Sequence, residues 1–320
     1  MAEKLTLTHP WLVAVWPGMG QVALNAGIYL LAKLGMTAFA EYEAGELFDI
    51  EQVEVKDGIV QPGRRPRNRF FVWTDPQHKH DLVVFLGEAQ PPTGKYAFCR
   101  QLMAFAKNLG IERVFTFAAM ATRMEPGAEC RVFGAATDAK NLQELEHLEL
   151  EILADGHIGG LNGVLLAAAA EAGLQGACLL GEMPHIFAQV PFPKSSHAIL
   201  LAFATIADIE LDLDELAEQA EVVEKQLGEL LEQAEARARG ESDEEDDEEE
   251  LFAPEDLEVA EEEPVDKEAA KPKERRQIES LFRQAAQDRS KSFELKQELD
   301  RLGVFKEYED RFLDLFKKPE

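Results

Sequence analysis

The sequence has few cysteines, no long uncharged apolar run and few basic residues for its number of acids. Its three cysteines, at positions 99, 130 and 178, are too few and too widely spaced for a disulfide framework or a paired-cysteine metal site. They are typical of a reducing compartment, so we expect a cytoplasmic protein. No stretch of about 18 uncharged apolar residues occurs. The N-terminal residues also lack the arrangement of a signal peptide, and we therefore expect neither a membrane span nor a secretory leader.

Basic residues are outnumbered by acidic ones, 33 to 61, which gives a formal net charge of −28. Binding to nucleic acids or anionic lipids depends on an excess of lysine and arginine, so the composition disfavours both as partners. The acids are unevenly distributed, because residues 241–266 contain 16 acids and no base whereas residues 1–240 carry a net charge of −14. Residues 267–320, with 14 bases and 12 acids, are nearly balanced. The uneven charge indicates a boundary between parts of the chain.

Four regions follow from this composition and from the hydrophobic periodicity. We expect an α/β domain over residues 1–210 and an amphipathic helix over 211–240 that packs on that domain or extends it. Residues 241–272 are acidic, low in aromatics and interrupted by three prolines, which predicts a disordered linker. Residues 273–320 are again periodic and predict a small helical tail, which should dock on the core or on a partner.

The first region alternates strand-like and helix-like segments, which favours a mostly parallel sheet. The apolar run 11–16 predicts a strand and the helical spacing that follows ends at Gly35, after which 36–40 predicts a second strand. The segments 52–55 and 70–73 read as short strands of an antiparallel excursion. The α/β rhythm then continues with strands at 82–86, 113–118, 148–152 and 177–180, separated by helices at 96–109, around 141–145, 164–172 and 195–207.

The helical tail carries apolar stripes that suit protein binding. Its apolar residues recur at helical spacing and therefore lie on one side of each helix, and Gly303 separates the helical segments. A module this short buries little surface by itself, so we expect it to contribute a partner-binding face. The candidate residues are Leu281, Phe282, Leu295, Leu299, Phe305, Phe312 and Phe316.

A second candidate site lies in the glycine-rich turns. Gly18 and Gly20 follow the first strand and open a helix in the pattern GxGxxA, and Glu41 ends the next strand, as in a dinucleotide fold. A tight strand-to-helix turn without a ligand explains the same glycines. The loop 156–163 is expected at the same carboxyl edge of the sheet, where it would complete a pocket for a nucleoside or for an anion. The candidate pocket residues are Gly18, Gly20, Glu88, His157, Gly159, Gly160 and Asn162.

The sequence contains no recognisable catalytic constellation. The pair Gly94-Lys95 does not complete a P-loop, and the pair His78 and His80 is not joined by further metal ligands. A GxSxG nucleophile motif is absent, and the run 195–197 (Ser-Ser-His) says little about geometry. We therefore predict no cofactor and no metal site, and we lean towards a protein that is not an enzyme.

Taken together, these segments resemble the proteasome assembly chaperone family, in its second-chaperone branch as found in bacteria and archaea. The resemblance covers residues 10–235 and depends on the order and spacing of five segments. These are WLVAVWPGMGQVALNAGIYLLAKLG, EVKDG with NRFFVW, DLVVFLGEAQP, GHIGGLNGVLLAAAAEAGLQGACLLGEMPHI and LDLDELAEQAEVVEKQL.

The resemblance implies a phosphorylase-like α/β sandwich with a C-terminal helical extension, a homo-oligomer and no established catalysis. Family relatives guide the assembly of proteasome α subunits, and several dock through a C-terminal hydrophobic–Tyr–any tripeptide. The residues Lys318-Pro319-Glu320 depart from that pattern, so the expected protein partner is left unidentified. We expect a non-enzymatic scaffold or assembly-chaperone-like protein that self-associates and binds a partner. The alternative is a small-molecule-binding protein or enzyme that uses the glycine-rich loops.

Overall fold

The computed structural model describes residues 6–238 and 272–317, apart from positions 45, 46, 49, 51, 52, 54, 57 and 62. The predicted linker therefore lies outside the described residues except for Pro272. Among the helices that the structure describes, none is long and apolar enough to cross a membrane.

Strands and helices alternate along the described chain. The strands are β1 (Trp11–Val15), β2 (Thr37–Glu41), β3 (Val55–Lys56), β4 (Ile59–Val60), β5 (Asn68–Trp73), β6 (Leu82–Gly87), β7 (Arg113–Thr122), β8 (Val132–Ala136), β9 (Glu151–Ile152) and β10 (Gln175–Pro184). The helices are α1 (Val22–Lys33), α2 (Lys95–Asn108), α3 (Ala139–His147), α4 (Gly160–Glu171), α5 (Pro193–Ala207), α6 (Asp214–Ala238), α7 (Pro272–Gln287), α8 (Ser292–Arg301) and α9 (Phe305–Asp314).

Eight of the strands form one sheet in the order β2-β5-β6-β1-β7-β10-β8-β9, while β3 and β4 form a separate hairpin. β1 pairs in parallel with β6 and β7, and β7 pairs in parallel with β10. This confirms the predicted α/β fold with a mostly parallel central sheet. Antiparallel pairs lie towards both edges, at β2–β5, β5–β6 and β10–β8.

Three details of the sheet differ from the sequence-based expectation. β2 does not adjoin β1, because β5 and β6 lie between them. The strand near residue 70 belongs to the main sheet, where it pairs with both β2 and β6 rather than with residues near 55. β8, which was not predicted, pairs antiparallel with β10. The run RVFGAA contains a glycine and two alanines, so its apolar pattern was too weak to indicate a strand.

The two faces of the sheet bury separate hydrophobic clusters. Successive side chains of a strand point to opposite faces, so Val13 and Val15 of β1 enter one cluster and Leu12 and Ala14 enter the other. Helices α2 and α4 cover the second face. The first face is covered by α1, α5, α6 and the tail helices α7–α9. The molecule is thus a three-layer sandwich in which the tail completes one layer.

The tail helices pack directly on the α/β core. The Phe316 carbonyl accepts a hydrogen bond of 2.8 Å from the backbone amide of Ala38 on the edge strand β2. The Phe316 ring lies 6.2 Å from that of Phe71, and the Phe293 ring lies 4.5 Å from that of Tyr29 on α1. These contacts make the tail part of the folded core.

A buried lysine fixes the contact between α8 and α1. Lys296 is 1% exposed, and its Nζ donates to Asn25 Oδ1 at 3.2 Å and to Asp300. The same ammonium lies 4.1 Å from the centre of the Phe305 ring. Burial lowers the pKa of Lys296, while Asp300 opposes that shift. Because an unpaired buried charge is costly, this pair favours one register of the tail against α1.

We expect Phe312→Ala, on the fully buried face of α9, to lower the free energy of unfolding of the tail by about 3–5 kcal/mol, because it leaves a cavity at the core. Hydrogen exchange of the amides in residues 305–317 measures this change. Leu230→Ala on α6, where the side chain is 55% exposed, serves as the control and should change stability by less than about 0.5 kcal/mol. Unchanged exchange in the Phe312 variant would contradict the packing of the tail.

Candidate functional site

A crevice lies where the carboxyl end of β1 meets the corner between α8 and α9. It encloses a cavity of about 520 Å³. Its walls come from the turn after β1, from the loop before α5 and from the tail. The lining residues are Pro17, Gly18, Gly20, Gln21, Leu24, Ala188, Gln189, Pro191, Asp300, Gly303, Phe305, Lys306 and Glu309. Core and tail thus share one cavity, of whose lining residues the sequence singled out Gly18 and Gly20 for a pocket and Phe305 for a partner contact.

The turn at Gly18 and Gly20 is built for close packing. Gly20 has a φ of +57°, and a Cβ added there would lie 2.8 Å from the Met183 Cε. The Gly20 amide donates to the Ala188 carbonyl at 2.7 Å, and the Gln21 amide donates to the Gly18 carbonyl at 2.9 Å. Two amides of the turn are therefore used within the protein and are not directed at an anion. This geometry agrees with the tight-turn explanation of the glycines.

The remaining predicted pocket residues are separated from the cavity. His157 and Gly159 are exposed, and neither they nor Gly160 and Asn162 line it. Gln90 connects the two loops, because its Nε2 donates to the Pro17 carbonyl at 3.2 Å and its Oε1 accepts from the Leu161 amide at 3.1 Å. Gln90 was missed by sequence reasoning, since only the fold brings residues 17, 90 and 161 together.

The last predicted pocket residue, Glu88, lies at the end of β6 and is 2% exposed. Three arginines surround it, and we refer to Arg64, Arg67 and Arg69 as the arginine cluster. Glu88 Oε2 accepts from the Arg64 Nη2 at 3.0 Å and from the Arg67 amide at 2.9 Å. Arg69 Nη2 lies 3.4 Å from Glu88 Oε1. Glu88 therefore acts as an anchor for the arginine cluster and does not face an open pocket.

The tail inserts a carboxylate into the same cluster. Asp310 of α9 pairs with Arg64, Arg67 and Arg69, at 2.9 Å in the case of the Arg67 Nη1. Burial favours the neutral form of Asp310, but the three guanidinium groups outweigh it and hold the pKa of this carboxyl below its usual value. Asp310 therefore stays ionised and links the tail to the core through charge-assisted hydrogen bonds.

Glu309, the neighbour of Asp310, is in a different environment. It is 1% exposed and its Oε2 lies 3.1 Å from Lys306 Nζ. Burial raises the pKa of Glu309, and the nearby charge of Glu88 adds to that effect. Lys306 also donates to the Glu88 carbonyl at 3.1 Å. Burial thus raises the pKa of Glu309, whereas the arginines lower the pKa of its neighbour Asp310.

The cysteines and serines that could serve as nucleophiles have structural roles. Burial raises the pKa of both Cys99 and Cys178 to about 12, so these thiols stay protonated. Burial also raises the pKa of Cys130. Ser195 Oγ donates to the Glu182 carbonyl, and Ser196 Oγ donates to that of Val22 at 3.0 Å. Within the described residues, no group of three or more His, Cys, Asp or Glu side chains could hold a metal ion.

A second buried carboxylate, Glu182, pairs with arginine near the end of β10. Its oxygens accept from Arg131 Nε at 2.8 Å and Nη2 at 2.6 Å, and from Thr122 Oγ1 at 2.7 Å. The Arg131 hydrogen bonds outweigh burial and lower the pKa of Glu182. This bidentate pair joins the ends of β7, β8 and β10, and it presents no acid or base to a cavity.

The arginine cluster was not among the site residues predicted from the sequence. The signal was present, because four arginines occur within residues 64–69 of a region whose net charge is negative. The missing information was spatial, since Glu88 and Asp310 approach the arginines only through the fold.

The fold and the site together define a class of protein. The protein is a three-layer α/β protein with a mixed sheet, whose site at the carboxyl edge is an ion-paired contact between core and tail. Two of its buried carboxylates, Glu88 and Glu182, are engaged with arginine, and burial raises the pKa of its three cysteine thiols.

The chain belongs to the PAC2 family, whose model matches residues 12–231. It is similar to PbaB of Pyrococcus furiosus, described as an archaeal proteasome activator, with 26% identity and a TM-score of 0.61 over 71% of this chain and 96% of that one. It is also similar in fold to a Mycobacterium tuberculosis proteasome-assembly chaperone homologue, with 23% identity and a TM-score of 0.60. That match covers 69% of this chain and 94% of the homologue. An uncharacterised protein of Methanocaldococcus jannaschii is 26% identical to this chain, and the match covers 74% of this chain and 92% of that protein. The family resemblance seen in the sequence is confirmed.

We expect Glu309→Gln to stabilise the docked tail at pH 8 and to lose this advantage as the pH falls. The folded-state pKa of Glu309 lies above its unfolded value near 4.3, so folding takes up a proton between the two values. The contribution of Glu309 to the free energy of unfolding therefore increases as the pH falls through the folded-state pKa. Glutamine does not titrate, so the variant lacks this pH dependence. Hydrogen exchange of residues 305–314 at several pH values measures the effect. Glu307→Gln, on the exposed side of α9, should leave the slope unchanged.

Proposed function

We propose that this protein is a non-enzymatic, chaperone-like scaffold that self-associates through its α/β domain and binds a protein partner. The observation that carries the proposal is its membership of the PAC2 family across residues 12–231. The described function of the similar PbaB, an archaeal proteasome activator, makes proteasome subunits the first partner to test. The engagement of the buried carboxylates and thiols in structural contacts supports a binding role over catalysis.

The tail would supply the partner contact in this proposal. Its seven candidate residues, from Leu281 to Phe316, are all buried in the chain's own core. They could reach a partner only if the tail left the core. The proposed division therefore has an α/β domain over 1–210, the helix 211–240, a linker over 241–272 and a detachable tail over 273–320. We place the protein in the cytoplasm because its three widely spaced cysteines are typical of a reducing compartment.

We expect the purified full chain to be a homo-oligomer at micromolar concentration and to speed the assembly of proteasome α subunits from its source organism into rings. Sedimentation measures the first property, and native electrophoresis of mixed proteins over time measures the second. A control reaction receives the same amount of an unrelated acidic protein. A monomeric chain that leaves the rate of ring formation unchanged would contradict the proposal.

A second candidate function is the binding of a nucleoside or of a small anion in the 520 Å³ cavity at Gly18 and Gly20. Lys306 is the cationic group on its wall. A ligand at 100 times its dissociation constant adds about 2.7 kcal/mol to the stability of the folded state. A thermal-shift screen of nucleosides and nucleotides should then reveal a stabilised complex. The absence of a shift with any of them would contradict this candidate.

A further inference from the structure

The arginine cluster has a surplus of positive charge on the core side. Arg64, Arg67 and Arg69 face two core carboxylates, Glu88 and Glu41, of which Glu41 pairs with Arg67. The core side of the cluster therefore has a local charge of +1, although residues 1–240 carry a net charge of −14. Asp310 from the tail completes the balance.

The core holds the cluster from behind, and Asp310 of the tail adds one contact to each of its three arginines. Glu88 fixes Arg64 and the backbone of Arg67 from behind, through hydrogen bonds of 3.0 and 2.9 Å. Arg69 lies on β5 and is 2% exposed. Preorganised guanidinium groups lose little freedom on binding, which favours recognition of a planar anion.

The cluster also retains unused donors. Among the described residues, Arg69 Nε and Nη1 are buried and have no hydrogen-bond partner. Buried donors are normally satisfied, so these two are left for an acceptor that reaches Arg69 once the tail is displaced. The outer part is accessible, because the Arg64 side chain is 47% exposed.

The present occupant of the cluster comes from outside the part of the chain that matches the family. Asp310 lies in α9, whereas the family model ends at residue 231. The contact is therefore an addition to the family core, and the core must present the cluster whenever the tail is displaced. Displacement would uncover the apolar tail residues at the same time.

We propose that the arginine cluster is a binding site for carboxylates on an acidic segment of a partner protein, and that Asp310 occupies this site as an internal competitor. The class of ligand follows from the occupant, which is itself a carboxylate paired with all three arginines. A doubly charged phosphate would meet the negative charge of Glu88 directly behind the arginines, so a singly charged carboxylate fits better. The inference rests on the proposed partner-binding function, and it identifies the chemistry of that contact.

The test measures binding of a fluorescein-labelled hexapeptide with two aspartates and two glutamates, by fluorescence anisotropy on the full chain. We expect Asp310→Asn to raise the affinity at least tenfold over the unsubstituted chain, because it weakens the competitor and keeps the cluster. Adding Arg64→Gln and Arg67→Gln to that variant should abolish the gain. Asp314→Asn, an exposed substitution on the same helix, is the matched control and should bind as the unsubstituted chain does.

Three outcomes would overturn the proposal: no gain in the Asp310 variant, an equal gain in the Asp314 variant, or full binding after loss of the two arginines. Equal competition by inorganic phosphate would overturn the assignment to carboxylates. If the Asp310 variant fails to fold, hydrogen exchange on the unsubstituted chain replaces it. Saturating peptide should then speed exchange in residues 305–314 at least threefold, and unchanged exchange would overturn the proposal. Since no proteasome subunit is present, these results are independent of the ring-assembly experiment.

Discussion

The cover that the tail provides over β5 is the constraint on which the rest of the structure depends. Arg69 and Phe71 alternate onto the same face of this strand, and both are buried. An arginine and a phenylalanine side by side need a neighbour that offers both a carboxylate and an apolar surface. The tail supplies the two together, with Asp310 on Arg69 and Phe316 on Phe71. Removing the tail would expose an aromatic ring and leave the buried guanidinium with Glu88 alone.

This constraint explains why the tail differs in composition from the acidic segment before it. The docked helices carry apolar residues at helical spacing, and residues 267–320 contain nearly equal numbers of bases and acids, 14 and 12. Residues 241–266, by contrast, contain 16 acids and no base. The large net charge of the protein therefore combines two sources: a moderately acidic core and a short acidic tract.

Much of the fold could be predicted where local pattern and final environment agree. The run from Trp11 gave strand β1 because a central parallel strand is apolar on both faces. The helix after Gly20 was equally clear, since its apolar spacing is sustained over three turns. β8 and the place of β2 could not be predicted, because they depend on which strands meet in space. Glu88 is a further example. The sequence placed it after a strand, as observed, but its arginine partners in residues 64–69 and their contact with Asp310 depend on the fold.

The tail and the α/β core belong to one chain, with 33 residues between Ala238 and Pro272. Docking of Asp310 is therefore an intramolecular reaction, and its extent does not depend on protein concentration. Effective concentrations of linked modules reach the millimolar range. A partner with a single acidic segment would have to exceed that concentration to displace the tail. A partner that makes a second contact, or an assembly that presents many acidic segments at once, would displace the tail at a lower concentration.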